Sequence, residues 1–171
     1  MIDLHFLVRR VHQEVNRRGF SFVELTLSVL VLGILVAVAS PVYSRSLVRF
    51  RAESAAQRIV QDIEQTQQLA RQTNASRSIV FLQARSSYTV NGAVSLDHAS
   101  QPYRVTLGQH PYRVAITSLV TAAQPSTQQA SITLVFDRFG MSDQGVSITV
   151  QSGTTQRRVD VAPVSGRVSI Q

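Results

Sequence analysis

Residues 17–44 read RRGFSFVELTLSVLVLGILVAVASPVYS: a basic pair and a glycine, then a long apolar run with one carboxylate, Glu24, near its start. Apart from Glu24, nothing from Phe20 to Ser44 is charged. A run of 18 or more apolar residues is long enough, as a helix, to cross the ~30 Å hydrocarbon core of a bilayer. The glutamate needs an account of its own, because a carboxylate at the bilayer centre costs on the order of 3 kcal/mol on insertion scales. An acid in such a place calls for a partner.

Three readings of this stretch compete. It can be the apolar region of a secretory signal peptide, with Ala37-Val38-Ala39 before Ser40 as a small-residue cleavage site and an exported soluble β-domain as the product. A long charged region ahead of the run and the glutamate at its edge stand against that. It can be a plain membrane anchor, with Glu24 snorkelling toward the headgroups. The third reading comes from Gly19-Phe20-Ser21-Phe22-Val23-Glu24-Leu25, preceded by Arg17-Arg18 and followed by an apolar stretch reaching Pro41. This closely resembles the prepilin signal of type IV pilins and type II secretion pseudopilins. It combines a glycine, an aromatic directly after it, a glutamate at the fifth position counted from that aromatic, and a proline near the far end of the span.

The resemblance implies that a membrane aspartyl peptidase cuts between Gly19 and Phe20 on the cytoplasmic face and methylates the new amine of Phe20. Residues 1–19 are then a leader. Such a cut creates a cation at the head of a helix whose dipole already makes that end positive. Glu24 lies about one turn from Phe20 and serves its own amine only imperfectly. In an assembly, Glu24 of one subunit can receive the Phe20 amine of the next, neutralising two charges that lipid penalises. Methylation keeps the charge, so the pairing survives it. Glu24 is therefore expected to be an assembly determinant, and Pro41, which lacks an amide hydrogen, to kink the helix without ending it.

Arg9, Arg10, Arg17 and Arg18 precede the span and Arg45, Arg49, Arg51 and Arg58 follow it, so the positive-inside count is a tie. The prepilin resemblance breaks the tie, placing Arg17 and Arg18 in the cytoplasm and the C-terminal region in the periplasm. The expected product is a single-pass inner-membrane protein. Its implied partners are other pilins or pseudopilins, the prepilin peptidase/methyltransferase and inner-membrane lipid.

Past Pro41, Val48, Ala52, Ala55, Ala56, Ile59, Ile63, Leu69 and Ala70 recur at helical spacing and predict an amphipathic helix from about Ser44 to Gln72. Arg49, Glu53, Arg58, Asp62, Glu64 and Arg71 read as its solvated face. From Ser78 the pattern changes to short β-rich runs: Ser78–Gln83, Ser87–Val90, Ala93–Leu96, Pro102–Leu107, Tyr112–Thr117, Ile132–Asp137, Val146–Gln151, Arg158–Val161 and Arg167–Ile170. Asn91-Gly92 reads as a two-residue hairpin turn, and 118–130, polar and containing Pro125, as a long loop.

The chain thus divides into a leader (1–19), the transmembrane half of the helix (20–44), its amphipathic half (45–73) and a β-rich globular periplasmic domain (74–171). The fold class is α+β, a long N-terminal helix packed on a C-terminal antiparallel β-domain, which is the pilin architecture. Ile132-Thr133-Leu134-Val135-Phe136-Asp137-Arg138-Phe139-Gly140, a strand through Ile148 and then Gly166-Arg167-Val168 resemble the C-terminal pattern of the GspH/FimT family of minor pseudopilins and minor pilins. Phe136 is expected to be a buried strand residue and Gly140 a tight turn.

The chain of 171 residues has no cysteine, so it forms neither a disulfide nor a thiolate zinc site. Many major pilins close a C-terminal loop with a disulfide, and the lack of one points, by that resemblance, to a minor subunit. Asp97, Asp137, Asp143 and Asp160 are scattered without calcium-loop spacing. His98 and His110 sit in turn-like segments without a nucleophile in an arranged triad. No cofactor, metal or enzymatic activity is expected.

The expected function is that of a structural subunit for pilus or pseudopilus assembly. One rival follows from charge: from Arg45 onward there are 13 arginines against seven acids, a net of +6, which favours an anionic polymer where the charges cluster. A DNA-binding minor pilin of competence uptake would use Arg157, Arg158 and Arg167. Family members proposed to bind DNA tend to carry a second arginine soon after the Gly-Arg pair, where this chain has Ser169. DNA therefore ranks below the other partners, and the same arginines read equally as solvated groups that discourage edge pairing.

Overall fold

The structure, a computed structural model, describes residues 19–94 and 101–171, with the backbone alone at Pro41 and Val94. Its first element is one helix, α1 (Phe22–Thr73). Two compact units meet along the chain between Pro41 and Val42.

In the first unit every described side chain is exposed. By length and composition the helix is apolar enough to cross a membrane. Two of its hydroxyls are silenced locally. Thr26 Oγ1 donates to the Val23 carbonyl at 2.9 Å and Ser28 Oγ to the Glu24 carbonyl at 2.8 Å, so neither presents an unsatisfied donor to an apolar surrounding. The helix continues through Pro41, which does not end it.

The second unit combines the C-terminal part of α1 with eight strands. One sheet holds β1 (Arg77–Leu82), β2 (Ser87–Val94), β3 (Pro102–Thr106) and β5 (Ser131–Phe136) in the order β3-β2-β1-β5. The other holds β4 (Ala115–Thr121), β6 (Val146–Ser152), β7 (Thr155–Val161) and β8 (Val168–Ile170) in the order β4-β6-β7-β8. Every pairing is antiparallel. The helical stripe foreseen from spacing is buried: Ala55, Ala56, Ile59, Ile63 and Ala70 join Ile79, Phe81, Leu134 and Phe136 of one sheet and Ile148, Val150 and Val159 of the other in one core. Strand β6 shows why, with Val146, Ile148, Val150 and Ser152 alternately inward along a period of two. The helix stops because Asn74 turns left-handed at φ 49°, and Ala75 N–H returns to the Ala70 carbonyl at 3.2 Å, a pattern that satisfies the last carbonyls.

Several sequence expectations change. Asn91-Gly92 is not a hairpin turn: both residues lie within β2, where the register against β3 shifts between Val90 and Val94. Gly92 has φ 84°, and the Arg77 guanidinium occupies the space its missing side chain leaves. A bulge and a tight turn both recruit a glycine at positive φ, so the dipeptide alone does not separate them. The β1–β2 turn, Gln83–Ser86, falls in the gap between the first two expected runs and is closed by Ser86 N–H to the Gln83 carbonyl at 2.9 Å. Of the strand expected at Ala93–Leu96, Ala93 and Val94 finish β2, while Ser95 and Leu96 lie outside the described residues. The strand expected at Tyr112–Thr117 is displaced to Ala115–Thr121, shortening the loop expected at 118–130. An irregularity between Ile116 and Ser118 breaks the alternation that would have announced it.

Candidate functional site

Gly19 and Phe20 stand just ahead of α1, and Glu24 lies in its first turn. Phe20 is 78% exposed and Glu24 is exposed as well. Among the described residues Glu24 makes no ion pair; the three bridges all lie in the second unit. A carboxylate is thus presented on an apolar helix with no cation of its own described unit against it. Pro41 sits in the helix as a backbone feature.

The C-terminal arginines divide. Arg157 on β7 reaches the helix, its Nε 2.6 Å from Glu53 Oε2. That hydrogen bond holds the Glu53 carboxyl below its ordinary value, against the opposing effect of burial. Arg158 stays with its own sheet, bonding Asp160 at 2.8 Å and Ser147 Oγ at 2.9 Å. Consecutive strand residues face opposite sides, so these neighbours in sequence serve different surfaces. Arg167, just before β8, is exposed.

A third cluster contradicts the sequence reading of a solvated helical face. Asp62, expected in water, is only 4% exposed. It accepts hydrogen bonds from Arg58 Nε at 3.2 Å, from Tyr103 Oη at 3.2 Å and from Tyr88 Oη. Arg58 Nη2 also donates to Tyr103 Oη. The cluster ties α1 to β2 and β3. Burial, then the nearby Asp62 charge, pushes the Tyr88 phenol well above its ordinary value, and burial raises Tyr103 against the opposing effect of Arg58. Burial lowers the Arg58 guanidinium, but Tyr103 and Asp62 more than reverse this and raise it. A cavity of about 180 Å³ beside the cluster is lined by Arg58, Asp62, Thr66, Leu69, Val90 and Tyr103. One signal in the sequence could have found it: Asp62 abuts Ile63 of the buried stripe, and a core tyrosine needs a partner for its hydroxyl.

The turns at Gly140 and Gly166 are also held by the helix. Gln67 Nε2 donates to the Gly166 carbonyl at 2.9 Å and the Gly140 carbonyl at 3.3 Å, and Arg71 Nε to the Phe139 carbonyl at 2.9 Å. Phe136 is buried and Gly140 turns the chain with φ 75°, matching their expected structural parts. Asp137 Oδ1 accepts from the Phe139 and Met141 amides at 2.8 Å each, and Asp143 Oδ1 from the Val135 amide at 3.0 Å. Both acids are thus engaged in shaping loops and the β5 edge. No group of three His, Cys, Asp or Glu side chains able to hold a metal is found among the described residues. Asp97 and His98 lie outside those residues, and His110 is exposed.

Neither a protein-family model nor a curated protein matches the sequence. Among solved structures the chain is similar to the type IV minor pilin FimU of Pseudomonas aeruginosa PAO1, in two crystal forms. The first is 15% identical with a TM-score of 0.49, covering 72% of this chain and 90% of that one. The second is 12% identical with a TM-score of 0.47, covering 70% and 91%.

Proposed function

We propose that this chain is a non-enzymatic structural subunit, a minor pilin or minor pseudopilin, of a type IV pilus or type II secretion system. The observation that carries the reading is Glu24: one exposed carboxylate on an apolar helix, unpaired among the described residues, at the fifth position counted from an aromatic that follows a glycine. A charge so placed needs a cation from elsewhere. Cleavage between Gly19 and Phe20 produces one, and Phe20, methylated at its amine, presents it to Glu24 of a neighbouring subunit. Until assembly, residues 20–44 hold the protein in the inner membrane, with Pro41 as the bend and the β-domain in the periplasm. The GspH/FimT-like ending from Ile132 to Val168 supports a minor subunit.

DNA uptake is not part of this reading, because Arg157 is engaged by Glu53 and Arg158 by Asp160. Mass spectrometry of the mature N-terminus tests the proposal. A methylated Phe20 is the expected result, and a mature chain starting at Ser40 would identify an ordinary exported protein instead.

A further inference from the structure

Three arginines after the apolar run lack an obvious counter-charge. No acid occurs between Leu25 and Ala52, while Arg45, Arg49 and Arg51 all fall there. Arg58, next in sequence, is satisfied by Asp62 at 3.2 Å. Glu53, the first acid after them, is bound to Arg157 at 2.6 Å and feels Arg49 only as a more distant charge. On the periplasmic side of a span such a cluster opposes the positive-inside tendency, so an anion there would offset its cost.

The structure supplies a place for one. At the start of the second unit, the β6–β7 turn lies against α1: a side chain added at Gly153 would meet Val48 Cγ1 at 3.2 Å. Beside that contact is an open groove of about 250 Å³, lined by Ser44, Arg45, Val48, Gly153, Thr154 and Thr155. It combines one guanidinium, the hydroxyls of Thr154 and Thr155 and the methyl groups of Val48 and the threonines. Guanidinium and hydroxyls suit a phosphate diester, and the methyl groups suit the glycerol and upper acyl carbons next to it. Ser44 and Arg45 come immediately after the apolar run, whose 20 helical residues from Phe22 to Pro41 span about 30 Å, the thickness of a bilayer core. Chain connectivity alone thus keeps Arg45, four residues past Pro41, close to the headgroups of a bilayer crossed by Phe22–Pro41.

We propose that the groove is a binding site for the phosphate headgroup of an anionic phospholipid in the outer leaflet of the inner membrane, with Arg45 as its central cation and Arg49 and Arg51 adding to the local field. This rests on the reading of residues 20–44 as a membrane span. The lipid, not a free phosphate, is the assigned occupant, because tethering keeps headgroups at the groove at high local concentration.

The test uses the full chain in nanodiscs of equal parts zwitterionic phosphatidylcholine and anionic phosphatidylglycerol, with retained lipids counted by native mass spectrometry. The wild type is expected to retain phosphatidylglycerol preferentially. Arg45→Gln should reduce that preference about fivefold, the usual contribution of one arginine near a charged membrane. A Thr154→Ala/Thr155→Ala variant, which leaves every charge in place, should also reduce it. All three chains should resist carbonate extraction. Equal retention of the two lipids by a carbonate-resistant wild type, or an unchanged preference in Arg45→Gln, overturns the site alone. Carbonate release of the wild type overturns the span and the site with it. Displacement of the bound lipid by dilute soluble glycerol phosphate reassigns the groove to free phosphate esters.

Discussion

Tyr88 of β2 donates its phenol hydroxyl to the carboxylate of Asp62 on α1, joining sheet to helix alongside the bond from Tyr103 of β3. Both partners are buried. Removing the acceptor leaves the Tyr88 hydroxyl without its partner in the core, and such an orphaned group costs about 1–3 kcal/mol. Asp62→Ala should therefore lower stability by at least that much, since the Arg58 and Tyr103 bonds go with it. Tyr88→Phe, which deletes a single bond, should cost about 1 kcal/mol. Urea unfolding of the full chain in detergent measures both, and equal costs would show that the network around Asp62 contributes nothing beyond the Tyr88 bond.

The same tyrosines set an alkaline limit. Burial raises Tyr88 and Tyr103 above the ordinary phenol value, which is about 10. The folded protein thus keeps protons that the unfolded chain releases, so their contribution is intact below about pH 10 and declines as pH climbs above it. Asp62 and Arg58 are the charged groups facing them. Unfolding midpoints followed from neutral to alkaline pH should fall beyond that point, and fall less steeply in Tyr88→Phe.

This cluster also marks where sequence reasoning stops. The stripe Ala55, Ala56, Ile59, Ile63 was legible because helical periodicity is local. Asp62 was not. Four residues after Arg58 it has the look of a surface ion pair, and only the long-range arrival of Tyr88 and Tyr103 makes it an interior acceptor. Arg157 and Arg158 were read as one basic group for a similar reason: which side each takes depends on the register of β7 against β6 and on where α1 lies. Gly92 carried a true signal, positive φ, whose use as a bulge was set by the pairing of β2 with β3.

Glu53 predicts an acid-side dependence of opposite sign. Arg157 holds its carboxyl below the ordinary value of 4.5. The folded state therefore releases this proton more readily than the unfolded chain, and the stabilisation, fully present above that value, is lost as pH falls through the lowered one. The pair is partly solvated, so its whole contribution at neutral pH is modest, about 0.2–1 kcal/mol. Arg157→Gln should flatten the acid limb of the stability profile while leaving the alkaline limb unchanged. An unaltered acid limb would mean that the pair does not persist in solution.

Gly166 is constrained twice. Its φ of 63° disfavours any side chain, and an added Cβ would lie 2.0 Å from Gln67 Nε2 and 3.1 Å from the Phe136 ring. Gln67 can swing away only by giving up its bonds to the Gly140 and Gly166 carbonyls. Gly166→Ala should cost more than about 1 kcal/mol, the usual upper size of a glycine effect where the backbone fits. Gly140→Ala, at φ 75° but meeting only Arg71, which gives up one bond to the Phe139 carbonyl in moving, should cost less. Thermal unfolding of the two variants side by side checks the order.

Glu24 gives the prediction that bears most directly on function. Within its own chain it sits a turn beyond Phe20, and among the described residues no cation pairs with it. Replacing it by alanine removes a charge from an apolar helix, which makes membrane insertion easier by up to about 3 kcal/mol. The peptide bond after Gly19 is untouched. Glu24→Ala should therefore appear in the membrane fraction at wild-type levels or above, with its N-terminus cut and methylated at Phe20, yet be depleted from sheared filaments, because the acceptor for the next subunit's amine is gone. Glu24→Asp, with the same charge on a shorter arm, should recover part of the loss. Those two readouts separate assembly from stability: a variant that is processed and membrane-resident but absent from filaments has lost a partner, whereas full incorporation of Glu24→Ala would show that the carboxylate merely reaches for the headgroups.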